Sequence, residues 1–305
     1  MIDILEWLYA QIRFSKCEFN FICRVIRFLI RCLVNNIYPL YLRITLTPSL
    51  NESKCSNPKI IISFTSFPKR IDRVWIVVES ILRQTLKPDK LILWLSLEQF
   101  PDRQIPKSLR YLISKGLDIR FVEGDIRSHK KYFYSIQEYP NDILVTIDDD
   151  IVYPSKFLKI LYSYYLNDPT KVYCKYARQI VISADGQLNK YLKWNKIHFQ
   201  GVDENLIFFG SGGGTLFPPH CFYKDIMNLE LAISLCPIAD DVFLNAMVRL
   251  NGTKISVIDL NYTFIPMSFE NDERLADSNI ENANDIQLNN IISYYQKKGL
   301  IIWKK

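Results

Sequence analysis

The chain has 305 residues, 49% of them hydrophobic and 23% charged, with a formal net charge of +6. That composition excludes a disordered or fibrous chain and leaves room for one large domain, or one domain with an appendage. The positive excess is too diffuse to argue for nucleic acid, and no RNA- or DNA-binding signature accompanies it; an anionic substrate or membrane surface suits it better.

Residues 1–56 differ from the rest. "FICRVIRFLIRCLV" (21–34) is strongly apolar but carries Arg24, Arg27 and Arg31 at spacings that put them on one helical face. The run is too short and too charged to span a bilayer. Two readings stay open: a basic amphipathic helix on an anionic membrane, or a helix packed on its own domain or in a dimer. "TPSLNESKCSNP" (47–58) reads as a linker. No secretory signal is expected, since Asp3 and Glu6 stand where a basic run would begin.

From residue 59 the pattern alternates. Strands are predicted at 59–64 (KIIISF), 90–96 (KLILWLS), 117–123 (LDIRFVE) and 142–147 (DILVTI). Helices are predicted between and after them, at 71–85, 106–116, 130–140 and 155–167. Continuous apolar strands alternating with helices imply an α/β fold with a mainly parallel sheet flanked by helices, Rossmann-like, in which ligands bind beyond the carboxyl ends of the strands. Further on, 171–181 holds strands, "LIFFGSGGGTLFPP" (206–219) surrounds a glycine cluster with apolar segments, and 239–252 reads as a helix. The seven cysteines are scattered without a CxxC pair, which suits reduced thiols in the cytoplasm. His129, His198 and His220 form no metal-spaced cluster.

Three motifs could carry chemistry. Asp148, Asp149 and Asp150 follow the fourth strand in "ILVTIDDDIVYP". Carboxylates so placed can hold a hard divalent cation that also binds a substrate diphosphate; the plainer reading is a solvated acidic turn and helix cap. "GSGGGT" (210–215) lacks the ending of a P-loop and could form a close wall beside a ligand, or a simple turn. Asp240 and Asp241 open a helix, where one could act as a general base or both could serve as first-turn acids. Lys130 and Lys131 could face a diphosphate or be surface charge. Arg178 could clamp a phosphate or pair at the surface. Trp194 could stack on a sugar or pack in the core. Asn284, Asp285 and Gln287 could cap a final helix or line an acceptor side.

Taken together, "ISFTSFPKRI", "ESILRQTLKPDKLILWLS", "TIDDDIVYP", "GSGGGTLFPP" and "ADDVFLNAM" resemble a bacterial glycosyltransferase of the GT-A type, over residues 59 to 290. The likeness is to enzymes encoded with capsule or lipopolysaccharide genes, and more distantly to exostosin-like transferases. It implies a GT-A domain at 57–305 behind an N-terminal helical segment and linker at 1–56. It implies Thr65, Ser66, Arg70 and Asp125 near the nucleoside, with Lys130, Lys131, Asp148 and Asp149 also toward the nucleotide. Asp150 and Asp148 would meet Mn²⁺ or Mg²⁺. Asp241 would be the base of an inverting enzyme with Asp240 in support. Gly212, Gly213, Gly214, Arg178 and Trp194 would approach the sugars.

The expected activity is metal-dependent transfer of a hexose from a nucleotide-sugar, a UDP-sugar by preference, to a hydroxyl of a surface polysaccharide or lipid-linked glycan. It would take place in the cytoplasm or peripherally on the cytoplasmic face of the inner membrane, with residues 21–34 as the membrane contact. Three alternatives stand beside it: a retaining exostosin-like enzyme, a nucleotidyl or phosphoryl transferase, and a non-catalytic glycan-binding protein. The sequence departs from the resemblance in "LWLS", which lacks the usual acidic end, and in offering no histidine after His220 as a third metal ligand.

Overall fold

The computed structural model describes residues 2–14, 21–50, 57–184, 186–197, 203–259, 264–267 and 283–303. Half of the linker read at 47–58, residues 51–56, and His198 lie outside them.

Alternation of apolar strands and helices builds the centre of the molecule. Strands β1 (Ile60–Thr65), β2 (Lys90–Ser96) and β3 (Leu117–Val122) pair in parallel, and β4 (Ile143–Ile147) joins the other edge of β1, also parallel. Helices α3 (Val74–Leu82), α4 (Lys107–Ile113) and α5 (Lys130–Glu138) make the connections. β1 and β4 are buried almost throughout, as a sheet covered on both faces requires. Helix α3, "VWIVVESIL", is rich in β-branched residues yet helical, because every side chain is buried between neighbouring elements. Packing there overrides propensity. Its one acid, Glu79, accepts from Thr47 Oγ1 (2.6 Å) and Arg83 Nε (3.0 Å).

After β4 come the short strand β5 (Ile151–Val152), helix α6 (Phe157–Asn167), β6 (Val172–Cys174), β7 (Ala177–Gln179), β8 (Asn195–Ile197) and β9 (Ile207–Phe209). They are followed by β10 (Gly213–Phe217), α7 (Leu229–Leu235), α8 (Asp240–Leu250), β11 (Ile255–Val257), β12 (Ile265–Pro266) and α9 (Asn284–Gln296). The main sheet has seven strands in the order β11-β6-β10-β4-β1-β2-β3. Only β10 among them runs against its neighbours. A three-stranded sheet, β8-β7-β9, and the β12-β5 ribbon complete the strands. The architecture is the α/β, Rossmann-like one anticipated from the sequence.

Ahead of the sheet, α1 (Ile2–Phe14) and α2 (Phe21–Ile44) pack on each other. Helix α2 runs ten residues beyond the segment read from the sequence. It lays Ile30, Val34, Tyr38 and Leu42 on the same hydrophobic cluster that lines β1 and α3. Each such side chain contributes about 2 kcal/mol on burial. Among the described residues, no helix is long and apolar enough to cross a membrane.

Candidate functional site

The carboxyl ends of β1 and β4, the start of α5, the β9–β10 turn and the start of α8 converge on a cleft of about 630 Å³. Its walls carry five cations, Arg70, Arg127, Lys130, Lys131 and Arg178. They also carry six carboxylates, Asp125, Asp148 to Asp150, Asp240 and Asp241.

The three consecutive aspartates are not equivalent. Asp149 is buried; it accepts from Ser66 Oγ at 2.6 Å and from Arg70 Nη1 at 2.8 Å. Burial pushes its carboxyl up, against the pull of Arg70 and Ser66. The same Arg70 nitrogen reaches Asp150 at 3.1 Å. Asp148 is 42% exposed and Asp150 25%, so these two present oxygens to the cleft. Asp148 is positioned through its backbone: its N–H donates to the Tyr153 hydroxyl (3.0 Å), which donates to the Gly212 carbonyl (2.6 Å). A Cβ on Gly212 would stand 1.8 Å from Asp148 Oδ1, so only glycine lets the two walls close.

The opposite wall begins with Ser211. Its N–H donates to Asp241 Oδ1 (2.6 Å) and its Oγ to Asp240 Oδ2 (2.7 Å). The start of α8 is fixed by Gln287 Oε1, which accepts from the N–H groups of Ile238 and Ala239. Asn245 then pairs its side-chain amide with both backbone groups of Phe209, locking α8 to β9. Lys131, almost wholly buried, joins the walls: its Nζ lies 3.3 Å from Asp148 and 3.1 Å from Asp240. Burial alone would lower the Lys131 ammonium, but Asp148, Asp240 and Asp241 outweigh it and hold its pKa above the ordinary value. Burial would raise Asp240, yet Lys131, His129 and Ser211 hold it below the usual carboxylate range. At Asp241 Lys131 and Ser211 also pull downward, but they are outweighed. Burial and the neighbouring Asp240 push it up to about 7.

On the nucleoside side expected from the sequence, Thr65 donates to the Trp94 carbonyl (2.8 Å). Asp125 accepts from Lys130, from Gln99 Nε2 (2.9 Å) and from the Arg127 N–H (3.0 Å). Burial lowers the Lys130 pKa, with Asp125 opposing. Thr65, Ser66, Arg70, Asp125, Lys130, Lys131, Arg178 and Gly212 therefore share the cleft with both acidic clusters.

Three sequence candidates sit elsewhere. Trp194 is 2% exposed, packs on Tyr191 and Phe208, and donates to the Asn189 carbonyl, so its ring cannot meet a sugar in the cleft. Its own carbonyl instead accepts from Arg178 (3.1 Å), which lies over the Tyr191 ring. Gly213 and Gly214 are buried in β10, facing Tyr176 and Phe157. Phe67, Gln99, Arg127, Ser128 and Tyr191 line the cleft without having been singled out as ligand contacts. Arg127 carried a signal, its nearness in sequence to Asp125 and Lys130. Phe67 carried one too, its place between Ser66 and Arg70 in "ISFTSFPKRI"; Gln99, Ser128 and Tyr191 carried none.

Among the described residues no group of three or more His, Cys, Asp or Glu gathers where it could hold a metal ion. Asp148 and Asp150 still fit Mg²⁺, which takes one or two carboxylates and fills its shell with water and substrate phosphates. Mg²⁺ is thus compatible with the site; a UDP-sugar donor has no support.

No family model matches the chain, and no curated protein matches it. Solved structures do. HddC from Yersinia pseudotuberculosis is 12% identical, with 68% of this chain and 92% of that one covered and a TM-score of 0.39. It matches equally as its complex with GMP-PN. The 4-diphosphocytidyl-2C-methyl-D-erythritol synthase from Anaerococcus prevotii is 15% identical, covering 79% and 100%, with a TM-score of 0.42. None of these neighbours is named as a glycosyltransferase. The expectation of a GT-A glycosyltransferase, hexosyl-transferring and serving capsule or lipopolysaccharide synthesis, is corrected accordingly. Likenesses of this size assign no role to any residue here; those roles follow from the cleft.

Proposed function

We propose that the chain is a nucleotidyltransferase, joining the nucleoside monophosphate unit of a nucleoside triphosphate to an acceptor oxygen with release of pyrophosphate. One observation carries the reading. Five cations are interleaved with two solvent-reachable carboxylates, Asp148 and Asp150, in one cleft beyond the ends of parallel strands. A triphosphate needs both signs: ammonium and guanidinium groups for its oxygens, and carboxylates for the cation that accompanies it.

In the transfer, the acceptor oxygen forms its bond to the α-phosphorus while the α–β bridge breaks and its electron pair leaves on pyrophosphate. Arg127 and Arg178 would hold phosphate oxygens from the rims of the cleft. Lys131, kept cationic by Asp148, Asp240 and Asp241, would meet the charge that builds on the leaving group. Asp149 and Asp240 keep Arg70 and Lys131 in place, so those cations need no reorganisation as the charge develops. Where the acceptor is a hydroxyl, Asp241, poised near neutrality, would take its proton. Mg²⁺ held by Asp148 and Asp150 would add neutralisation of phosphate charge.

The test is to offer each of the four common nucleoside triphosphates with Mg²⁺, together with sugar-phosphate and alcohol acceptors, and to separate the products. One triphosphate should bind by calorimetry, and an acceptor should elicit pyrophosphate. Absence of binding by all four, or release of nucleoside diphosphate in place of pyrophosphate, would overturn the reading.

A further inference from the structure

Helix α2 is apolar on two adjoining sides, and only one of them is covered. Ile30, Val34, Tyr38 and Leu42 face the core. Beside them Ile22, Ile26, Leu29, Leu33, Ile37, Leu40 and Ile44 follow one another at spacings of four, three, four, four, three and four. That spacing makes a single stripe along the whole helix. Each of the seven is between 40 and 84% exposed. Phe21 and Phe28 widen the stripe, and Ile4, Trp7 and Leu8 of α1 extend it. A contiguous apolar surface of this kind is uncommon on a chain that meets only water.

Charge decides what covers it. Helix α2 contains Arg24, Arg27, Arg31 and Arg43, and no Asp or Glu. Of the two acids of α1, Asp3 is turned to Ser155, accepting from its N–H (3.0 Å) and Oγ (2.7 Å), and Glu6 is fully buried, which pushes its carboxyl well up toward the neutral form. A second copy packed through α2 would bring two arginine-bearing helices without an acid of their own together. An anionic lipid surface meets both halves of the pattern, with acyl chains for the stripe and a negative headgroup layer for the positive charge of the helix, which acts across its width within a Debye length. The helix is not of spanning type, so it lies in the interface.

We propose that α1 and α2 seat the chain on an anionic bilayer, the outer stripe of α2 in the headgroup–acyl boundary. This stands independently of the chemistry in the cleft. The experiment is flotation of the full chain with phosphatidylcholine vesicles, with and without phosphatidylglycerol, beside sedimentation velocity without lipid.

Binding should require phosphatidylglycerol and weaken as salt is raised. The triple variant Arg24→Glu, Arg27→Glu, Arg31→Glu should bind on the order of a hundredfold more weakly. A second variant, Leu29→Ser, Leu33→Ser, Ile37→Ser, should lose binding at low salt too. Leu29, Leu33 and Ile37 avoid the buried face of α2, whereas Arg27 and Arg31 are half-buried beside it, so thermal melts must show that each variant folds before its binding is compared. No flotation with anionic vesicles, or equal flotation with neutral ones, would overturn the proposal. So would a dimer in solution that the serine variant dissociates, since a second copy would then cover the stripe.

Discussion

Asp148 to Asp150 and the Asp240–Asp241 pair are close relatives in sequence terms, runs of adjacent carboxylates on opposite walls of one cleft. Each run spends one member on structure. Asp149 is held by a serine hydroxyl and Arg70, and Asp240 by a serine hydroxyl and Lys131. The remaining members diverge. Asp148 and Asp150 reach the cleft beside Lys131 and Arg70, whereas Asp241, also half-buried, stands beside the buried Asp240 and rises to about 7. Identical side chains thus meet different surroundings on the two walls, and burial with neighbouring charge makes the difference.

The largest expected effect comes from removing the cations. Arg70 pairs with the first run, while Lys131 lies between both. Stripping a buried ion pair of one partner costs about 3–5 kcal/mol, because the other charge stays desolvated. Solvent screens the share of the exposed Asp148, but Asp240 has no such relief. Lys131→Met is therefore expected near the top of that range and Arg70→Met near the bottom, by urea denaturation at neutral pH. Equal costs, or the reverse order, would mean that the walls are not joined through Lys131.

Next in size is Gly212→Ala. The added methyl would overlap the Asp148 carboxylate, and such overpacking costs roughly 1–3 kcal/mol of stability. Displacing Asp148 by about an ångström is expected to lower turnover roughly a hundredfold. Magnesium titration of the turnover checks it, because the variant should need more cation for half-maximal rate. A variant with slowed turnover but unchanged cation dependence would argue that Asp148 serves the nucleotide in another way.

The sheet was legible because its strands are short runs of apolar residues and its helices have amphipathic spacing, both local signals. The reversal of β10 was not, since "GGTLF" reads the same whichever way it is paired. The acidic runs were visible as clusters, yet the division of labour within them depends on Arg70 and Lys131, which approach from distant positions. Trp194 was misplaced because an aromatic ring beside charged residues reads alike on a sugar and in a core. The assignment to glycosyl transfer failed for a chemical reason. An acidic strand end that binds a cation and a nucleotide's phosphates serves several reactions, and nothing in the motif says whether the bond broken is at phosphorus or at a sugar carbon.

The rise of Asp241 sharpens the contrast through pH. If it takes the acceptor's proton, the rate should climb with pH through about 7, and Asp241→Asn should lose that limb. Stability should move the other way. Unfolded, the carboxyl releases its proton near pH 4; folded, it keeps it to about 7. Between those values the folded state binds more protons, so its stability falls as pH rises. Urea midpoints from pH 4 to 8 should show that decline flattened in Asp241→Asn. An unaltered slope would place the ionisation elsewhere.

The smallest effects form a matched pair. Ser66→Ala and Ser211→Ala each remove one hydroxyl donor from a buried carboxylate, at 2.6 and 2.7 Å. A hydrogen bond to a charged group contributes about 1.5–3 kcal/mol, and each carboxylate keeps its cation, so both costs should sit at the low end. They should nevertheless differ in kind. Losing Ser66 touches only Asp149, which Arg70 still holds. Losing the Ser211 hydroxyl loosens Asp240 beside Asp241, while the Ser211 N–H to Asp241 remains. Ser211→Ala alone should therefore shift the pH–rate limb, with Ser66→Ala leaving it in place. A shift in both, or in neither, would mean that the two walls share one electrostatic environment.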